Sequence, residues 1–545
     1  GSDSISLGPN SKSTNNNSIA IGSIALSLDQ EAIAIGFSAN SSGLDSIAMG
    51  TSSISSNINT IAIGNNPISS GNNSIATGFN AISSNSDSIA IGTSSTASNT
   101  NSIAIGLSSF ANAINTIAIG TIASATNSNS IAIGSNSVSS GNSSISFGEN
   151  SSATALTSIA IGRSSVSSST STIAIGANAN STQTNSTAIG NSSLASNPNT
   201  IALGPGAKAT GSSALSIGPS SQSTNNSSIA IGQNSTALNS QTIAIGFFSG
   251  SVNTQSIAIG TVANASGLSS TAIGVSTKAQ NTNAIGIGTT SNAYSQTSIA
   301  IGSNAFTTNN SGIAIGDNAK STSSSIFSSH ALAIGTQAQS LNFATIAIGN
   351  AANATGSSAI AIGINSKSQN NDSIGIGNAA NAFSSTSIAM GSNSKSSGTS
   401  AIAIGFSANS YSQNSLAMGP NSISKNTNSI AIGTSSISSG INSVTIGTGA
   451  NSASSDAIAI GFNSTSVGLH ATSLGAFTIA SNVDSIALGF EANSAGNYLA
   501  LGSATAPLKF EANTTAIVQS NVLYIRINNE PKLFAIPVMM TDIDA

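Results

Sequence analysis

Large aliphatic residues recur along the chain in pairs separated by one small residue, as in Ile19-Ala20-Ile21, Ile61-Ala62-Ile63, Ile103-Ala104-Ile105 and Ile257-Ala258-Ile259. Strict alternation predicts a short strand with both isoleucines on one face and the small residue on the other. A glycine closes each triplet. These glycines fall 14 residues apart from Gly8 to Gly316, then 19 apart to Gly335, 14 apart again to Gly489, and 13 apart at Gly502. The beat gives 36 coils. Counting forward from each glycine, positions 3 and 5 are mostly Ser or Ala, as at Ala207 and Ala209, and position 4 varies. Six of the nine lysines (Lys12, Lys208, Lys278, Lys320, Lys367 and Lys395) share position 4. Lysine is almost never fully buried, so position 4 is predicted to face water and positions 3 and 5 to face inward. Asp3, Asp45, Asp87, Asp372, Asp456 and Asp484, and both histidines, His330 and His470, all sit five residues before a motif glycine. Asn and Ser fill that place elsewhere, which predicts an exposed turn.

Each coil is therefore expected to run strand, turn, strand, turn. Stacked coils give an all-β, 14-residue-repeat parallel β-roll solenoid, on the order of 170 Å long at ~4.8 Å per coil. The expected core is the isoleucine face (Ile19, Ile21, Ile103, Ile105, Ile257, Ile259) set against the Ser and Ala of the second strand. The opposite face carries Ala20, Ala62, Ala104, Ala258 and Ala431 between Ser and Gly. It is expected to pack against other chains, because small residues let backbones approach closely and no charge interrupts it. A parallel homotrimer with its coils in register follows as an expectation. Its isolated monomer should be unstable, since closed three-fold packing would remove that face from water in every coil.

The unit resembles the YadA-like head repeat of trimeric autotransporter adhesins, whose signature Asn-Ser-(Val/Ile)-Ala-(Ile/Leu)-Gly appears as Asn101 to Gly106 and Asn428 to Gly433. Similar repeats occur in phage and viral fibre proteins. The resemblance covers residues 1–502. It implies a left-handed roll, three chains around one axis and a role in surface attachment; the left hand comes from the resemblance alone. The secretion signal, heptad stalk and four-strand outer-membrane anchor typical of the family do not appear in the sequence. The opening Gly-Ser-Asp without Met fits a fragment or a processed chain.

Composition narrows the function classes. Charged residues are 5%, aromatics 4%, and the formal net charge is −4. This excludes a basic nucleic-acid footprint. No apolar run approaches the ~18 residues of a membrane span, so no direct membrane insertion is expected. Cysteine is absent, which removes disulfides, thiol nucleophiles and thiolate metal sites. No catalytic, cofactor or metal constellation is visible. His330 and His470 lie ten coils apart, and Asp456 and Asp484 lie ~10 Å apart, too far to chelate one calcium.

Residues 503–545 leave the beat. Val522 to Ile527, Asn528 to Pro531 and Lys532 to Val538 read as a β-hairpin that caps the roll or registers three chains, with Pro537 on an edge. The longer step within residues 317–335 is expected to extrude five extra residues as a loop near Phe327. The functional expectation is a non-enzymatic structural fibre on a cell or virion surface that attaches to a host or surface receptor. One alternative is an ice-binding or other lattice-binding solenoid, for which Thr60, Thr116, Thr172, Thr200 and Thr242 would have to form an exposed ladder. A self-assembling extracellular filament is the other.

Overall fold

The computed structural model describes residues 1–323, 330–497 and 499–502, and the backbone of three strands in the tail. The chain divides into two compact units, Gly1–Ser276 and Thr277–Ala545. Each is an all-β parallel solenoid built from one three-residue and one two-residue strand per 14-residue repeat. Among the described residues there are 36 strands of the first kind and 35 of the second.

Register is one repeat per step. In the first unit Ala104 lies between Ala90 and Ala118, and Lys208 between Leu194 and Gln222. In the second, Ala431 lies between Ala417 and Thr445. Backbone bonds join equivalent coils, with Ile103 N–H donating to Thr116 O at 2.8 Å and Gly106 N–H to Ile91 O at 2.8 Å. Both turns use a left-handed residue, such as Asn101 at φ 58° and Ser108 at φ 52°. Asn, Asp and His tolerate that conformation best among non-glycine residues. The Asp and His residues five before a motif glycine occupy this left-handed turn position and are exposed, as expected.

The interior reverses one expectation. Ala20, Ala62, Ala104, Ala258 and Ala431 have no exposed surface within the single chain. Ile19, Ile21, Ile103, Ile105, Ile257 and Ile259 are half-exposed and point outward. The core is thus alanine and serine, and the isoleucines form an outer face. Room is the reason. Two facing strands closed by 14 residues leave space only for small side chains, and the largest fully buried ones are Thr and Pro67. At Gly286, which replaces the usual alanine, an added Cβ would stand 2.8 Å from Lys278 O and 2.9 Å from Thr277 Cγ2.

Serine is abundant inside because the turn carbonyls need donors. Ser41 Oγ donates to Ser46 O at 2.8 Å and meets Ser46 Oγ at 2.6 Å. Ser46 Oγ in turn donates to Gly43 O at 2.6 Å. At the other corner Ser53 Oγ donates to Gly50 O at 3.1 Å. Thr60 stands in the place of Ser46 one coil on, donating to Asn57 O at 2.7 Å. Thr60, Thr116, Thr172, Thr200 and Thr242 are all fully buried, so they present no threonine ladder to a lattice.

The ladders continue across the 19-residue step, with Ile313 opposite Leu332 and Lys320 opposite Gln339. The loop expected near Phe327 lies outside the described residues. In the tail, Val522–Arg526 pairs antiparallel with Phe534–Pro537, and Pro537 sits on an edge strand opposite Val522. A further strand, Thr515–Gln519, precedes them and completes a three-stranded sheet. The turn at Asn528 to Pro531 lies outside the described residues.

Candidate interaction surface

The two outward faces of each roll differ in chemistry. Position 4 mixes Lys, Asn, Thr, Gln, Ile and Phe, as a solvated surface does. The triplet face carries only Ile, Leu, Val, Met, Phe and a few Thr, with no charge in any coil. Its side chains stack in two columns, since Ile89, Ile103 and Ile117 are register partners, as are Ile91, Ile105 and Ile119. Each coil adds a strip ~4.8 Å tall and ~7 Å wide. About twenty coils therefore exceed the ~300–600 Å² of the largest apolar patch on a typical monomer.

Turn residues form the borders of this face. The left-handed position preceding the strand carries hydrogen-bonded ladders. Asn101 Nδ2 donates to Asn115 Oδ1 at 2.9 Å, and Asn115 Nδ2 to Asn129 Oδ1 at 3.0 Å. Another run passes from Asn414 through Asn428 and Asn442 to Asp456. His470 continues that column, with Nδ1 3.0 Å from Asp484 Oδ1 and Nε2 3.9 Å from Asp456 Oδ2. Sequence reading separated these two carboxylates by two coils and overlooked the histidine between them, although all three share one register. Among the described residues, no group of three or more acidic or imidazole side chains is placed to hold a metal ion.

In two earlier, successive coils Asp29, Glu31 and Asp45 gather along one edge. Desolvation, the hydrogen bond with Glu31 and the charges of Glu31 and Asp29 hold the Asp45 carboxyl above its ordinary 3.8. The folded chain therefore keeps this proton to higher pH than the unfolded chain does. Stability from this group falls as pH rises through the window just above the ordinary value. An Asp45→Asn chain is expected to lose that slope, which melting temperatures measured across the window against the unchanged chain will check.

Aromatic residues also reach the surface. Phe462, Phe477 and Phe490 form an edge-to-face run with centroids 5.1 and 5.9 Å apart. Lys395 Nζ lies 5.2 Å from the Phe383 ring and 5.9 Å from the Tyr411 ring. Phe306, Lys320, Gln339 and Leu341 line part of a shallow groove of about 500 Å³. The twin Phe247 and Phe248 pack edge to face at 4.5 Å while remaining exposed.

The model of the YadA head domain repeat matches the chain in successive copies from residues 1–23 to residues 480–498. Among solved structures, the collagen-binding domain of the Yersinia adhesin YadA is 20% identical, with a TM-score of 0.17, over 38% of this chain and 83% of that one. Comparison with curated proteins finds no matching sequence.

Proposed function

Because the chain belongs to the YadA head-domain repeat family, we propose that it is the non-enzymatic head of an attachment fibre, carried outside a cell or a virion and built from three parallel copies. The uncharged isoleucine face carries this reading. It is continuous through each unit and too apolar to remain wet, and small side chains already fill the roll's interior. Three copies turn this face to a common axis and leave the mixed position-4 face, with its lysines and asparagines, outside for contact with a receptor. The inter-chain face is therefore Ile19, Ile21 and their equivalents rather than Ala20 and its equivalents. Closed three-fold symmetry satisfies the face without open lateral growth, and folding couples to association.

Native mass measurement on the intact chain is expected to give three times the 52.8 kDa of one copy. A soluble monomer at micromolar concentration would refute the assembly. For the attachment role, particles coated with the trimer are expected to be retained on host-cell or matrix surfaces above uncoated particles. Equal retention would remove it.

A further inference from the structure

The outward face of the second strand changes character along the chain. Positions 4 and 6 after each motif glycine share this face, since alternation turns both away from the buried positions 3 and 5. In the first unit the position-4 column is mainly Ile, Val, Leu, Ser, Thr and Asn, with lysine only at Lys12 and Lys208. In the second unit the column from Lys278 to Asn409 reads Lys, Asn, Phe, Lys, Gln, Asn, Lys, Asn, Lys, Asn through ten successive coils. The ladder carries it on, with Lys320 beside Gln339, Asn353 beside Lys367 and Asn381 beside Lys395. Lys425 joins from position 6, two coils beyond Lys395. Five of the nine lysines thus share a strip ~48 Å long. The two acids of this stretch, Asp317 and Asp372, sit on corners instead. Among the described residues, none of the five lysines has a carboxylate within ion-pair distance.

Aromatic rings accompany these cations. Position 6 is aromatic at Tyr294, Phe383 and Tyr411 and nowhere else in the roll. Tyr294 packs edge to face on Phe306 at 5.4 Å, beside the groove that Phe306 and Lys320 line. Lys395 is held between Phe383 and Tyr411, and Tyr411 keeps 43% of its surface exposed. Such a strip offers spaced positive charges to an anion and ring faces to apolar C–H surfaces. The spacing selects the kind of polyanion. Successive lysines stand two or three coils apart, ~10–14 Å. A nucleic-acid strand carries a phosphate every ~3.4 Å, so most of its charge would go unmatched. A sugar chain that is acidic on alternate residues is sparser in charge, and its rings present C–H faces to aromatic side chains. We propose that the strip from Lys278 to Lys425 binds a linear acidic polysaccharide, with carboxylate or sulfate on alternate sugars, laid along the roll. The inference rests on the attachment reading above and names the chemistry of its receptor.

The intact chain is expected to bind immobilised hyaluronan and chondroitin sulfate, more weakly as salt rises, and to ignore neutral dextran. A Lys367→Gln, Lys395→Gln, Lys425→Gln variant is expected to bind roughly tenfold more weakly, and a Lys12→Gln, Lys208→Gln variant within about twofold of the unchanged chain. A Phe383→Leu, Tyr411→Leu variant keeps the charge and is expected to lose roughly threefold. All these side chains face outward, and circular dichroism with native mass checks that each variant folds and assembles. Absence of binding to both polysaccharides, a lysine-triple loss no larger than that of the Lys12 and Lys208 control, or tighter binding to single-stranded poly-dT overturns the proposal. An aromatic variant that binds as the unchanged chain does overturns the choice of a sugar chain. If particles coated with the protein are still retained on host surfaces in those cases, the attachment reading stands; if retention is lost as well, both fall.

Discussion

An Ala104→Phe chain will fail to close the roll around that coil, whereas Lys208→Ala will behave like the unchanged protein. Ala104 has no exposed surface and stacks between Ala90 and Ala118 inside the coil. A benzyl group has nowhere to go except through the facing strand. Ordinary overpacking costs ~1–3 kcal/mol because neighbours shift. Here the facing atoms belong to backbone held in ladders above and below, so the cost exceeds that range. Stability in a solenoid passes through nearest-neighbour interfaces, so the break should expose the coils beside residue 104 first. Limited proteolysis that maps new cleavage sites, together with the loss in strand circular dichroism, will check this. An Ala104→Phe chain that melts with the unchanged protein would show that the interior can expand.

The second large effect is expected at the motif glycine. Gly106 takes φ +129°, and a Cβ there would stand 2.5 Å from Gly120 O and 2.7 Å from Gly120 C. Backbone meets backbone at this point, so no rotamer can relieve the clash. Gly106→Ala should lose roughly 4 kcal/mol or more, which combines left-handed strain with displacement of a ladder bond. Gly206 is the internal control. Its φ is +66°, and its nearest foreign atom is Ser220 Oγ at 3.5 Å, so Gly206→Ala should cost only ~1 kcal/mol. Denaturant melts of the two variants, side by side, separate steric exclusion from a general dislike of alanine in turns.

The repeat length, the strand at each triplet, the exposed turn before it and the outward facing of position 4 were all legible in the sequence, because each depends on periodicity. The sidedness of the triplet was not. Period-2 alternation says which residues share a face, and the choice of inner face then rested on the rule that large apolar residues go inside. That rule assumes an interior wide enough to hold them. A corrective signal was present: positions 3 and 5, already placed inward by the lysines between them, are themselves Ser and Ala. Facing strands that close within 14 residues should match in size, and Ser41 with Ser46 or Ser55 with Thr60 does so through hydrogen bonds. The His470 bridge was readable from register alone. The Thr515–Gln519 strand was missed because the hairpin signal centred on the turn after Ile527.

Alanine resting on alanine, coil after coil, gives the protein a ruler with a single graduation. Removing or adding one 14-residue segment inside either unit brings identical surfaces back into contact, so the change alters reach by ~4.8 Å and little else. A segment of any other size breaks the beat, yet the ladder keeps its register across the 19-residue step before Gly335, with Ile313 opposite Leu332. The distance that a head of this kind spans can therefore change in whole graduations without a new fold having to be found.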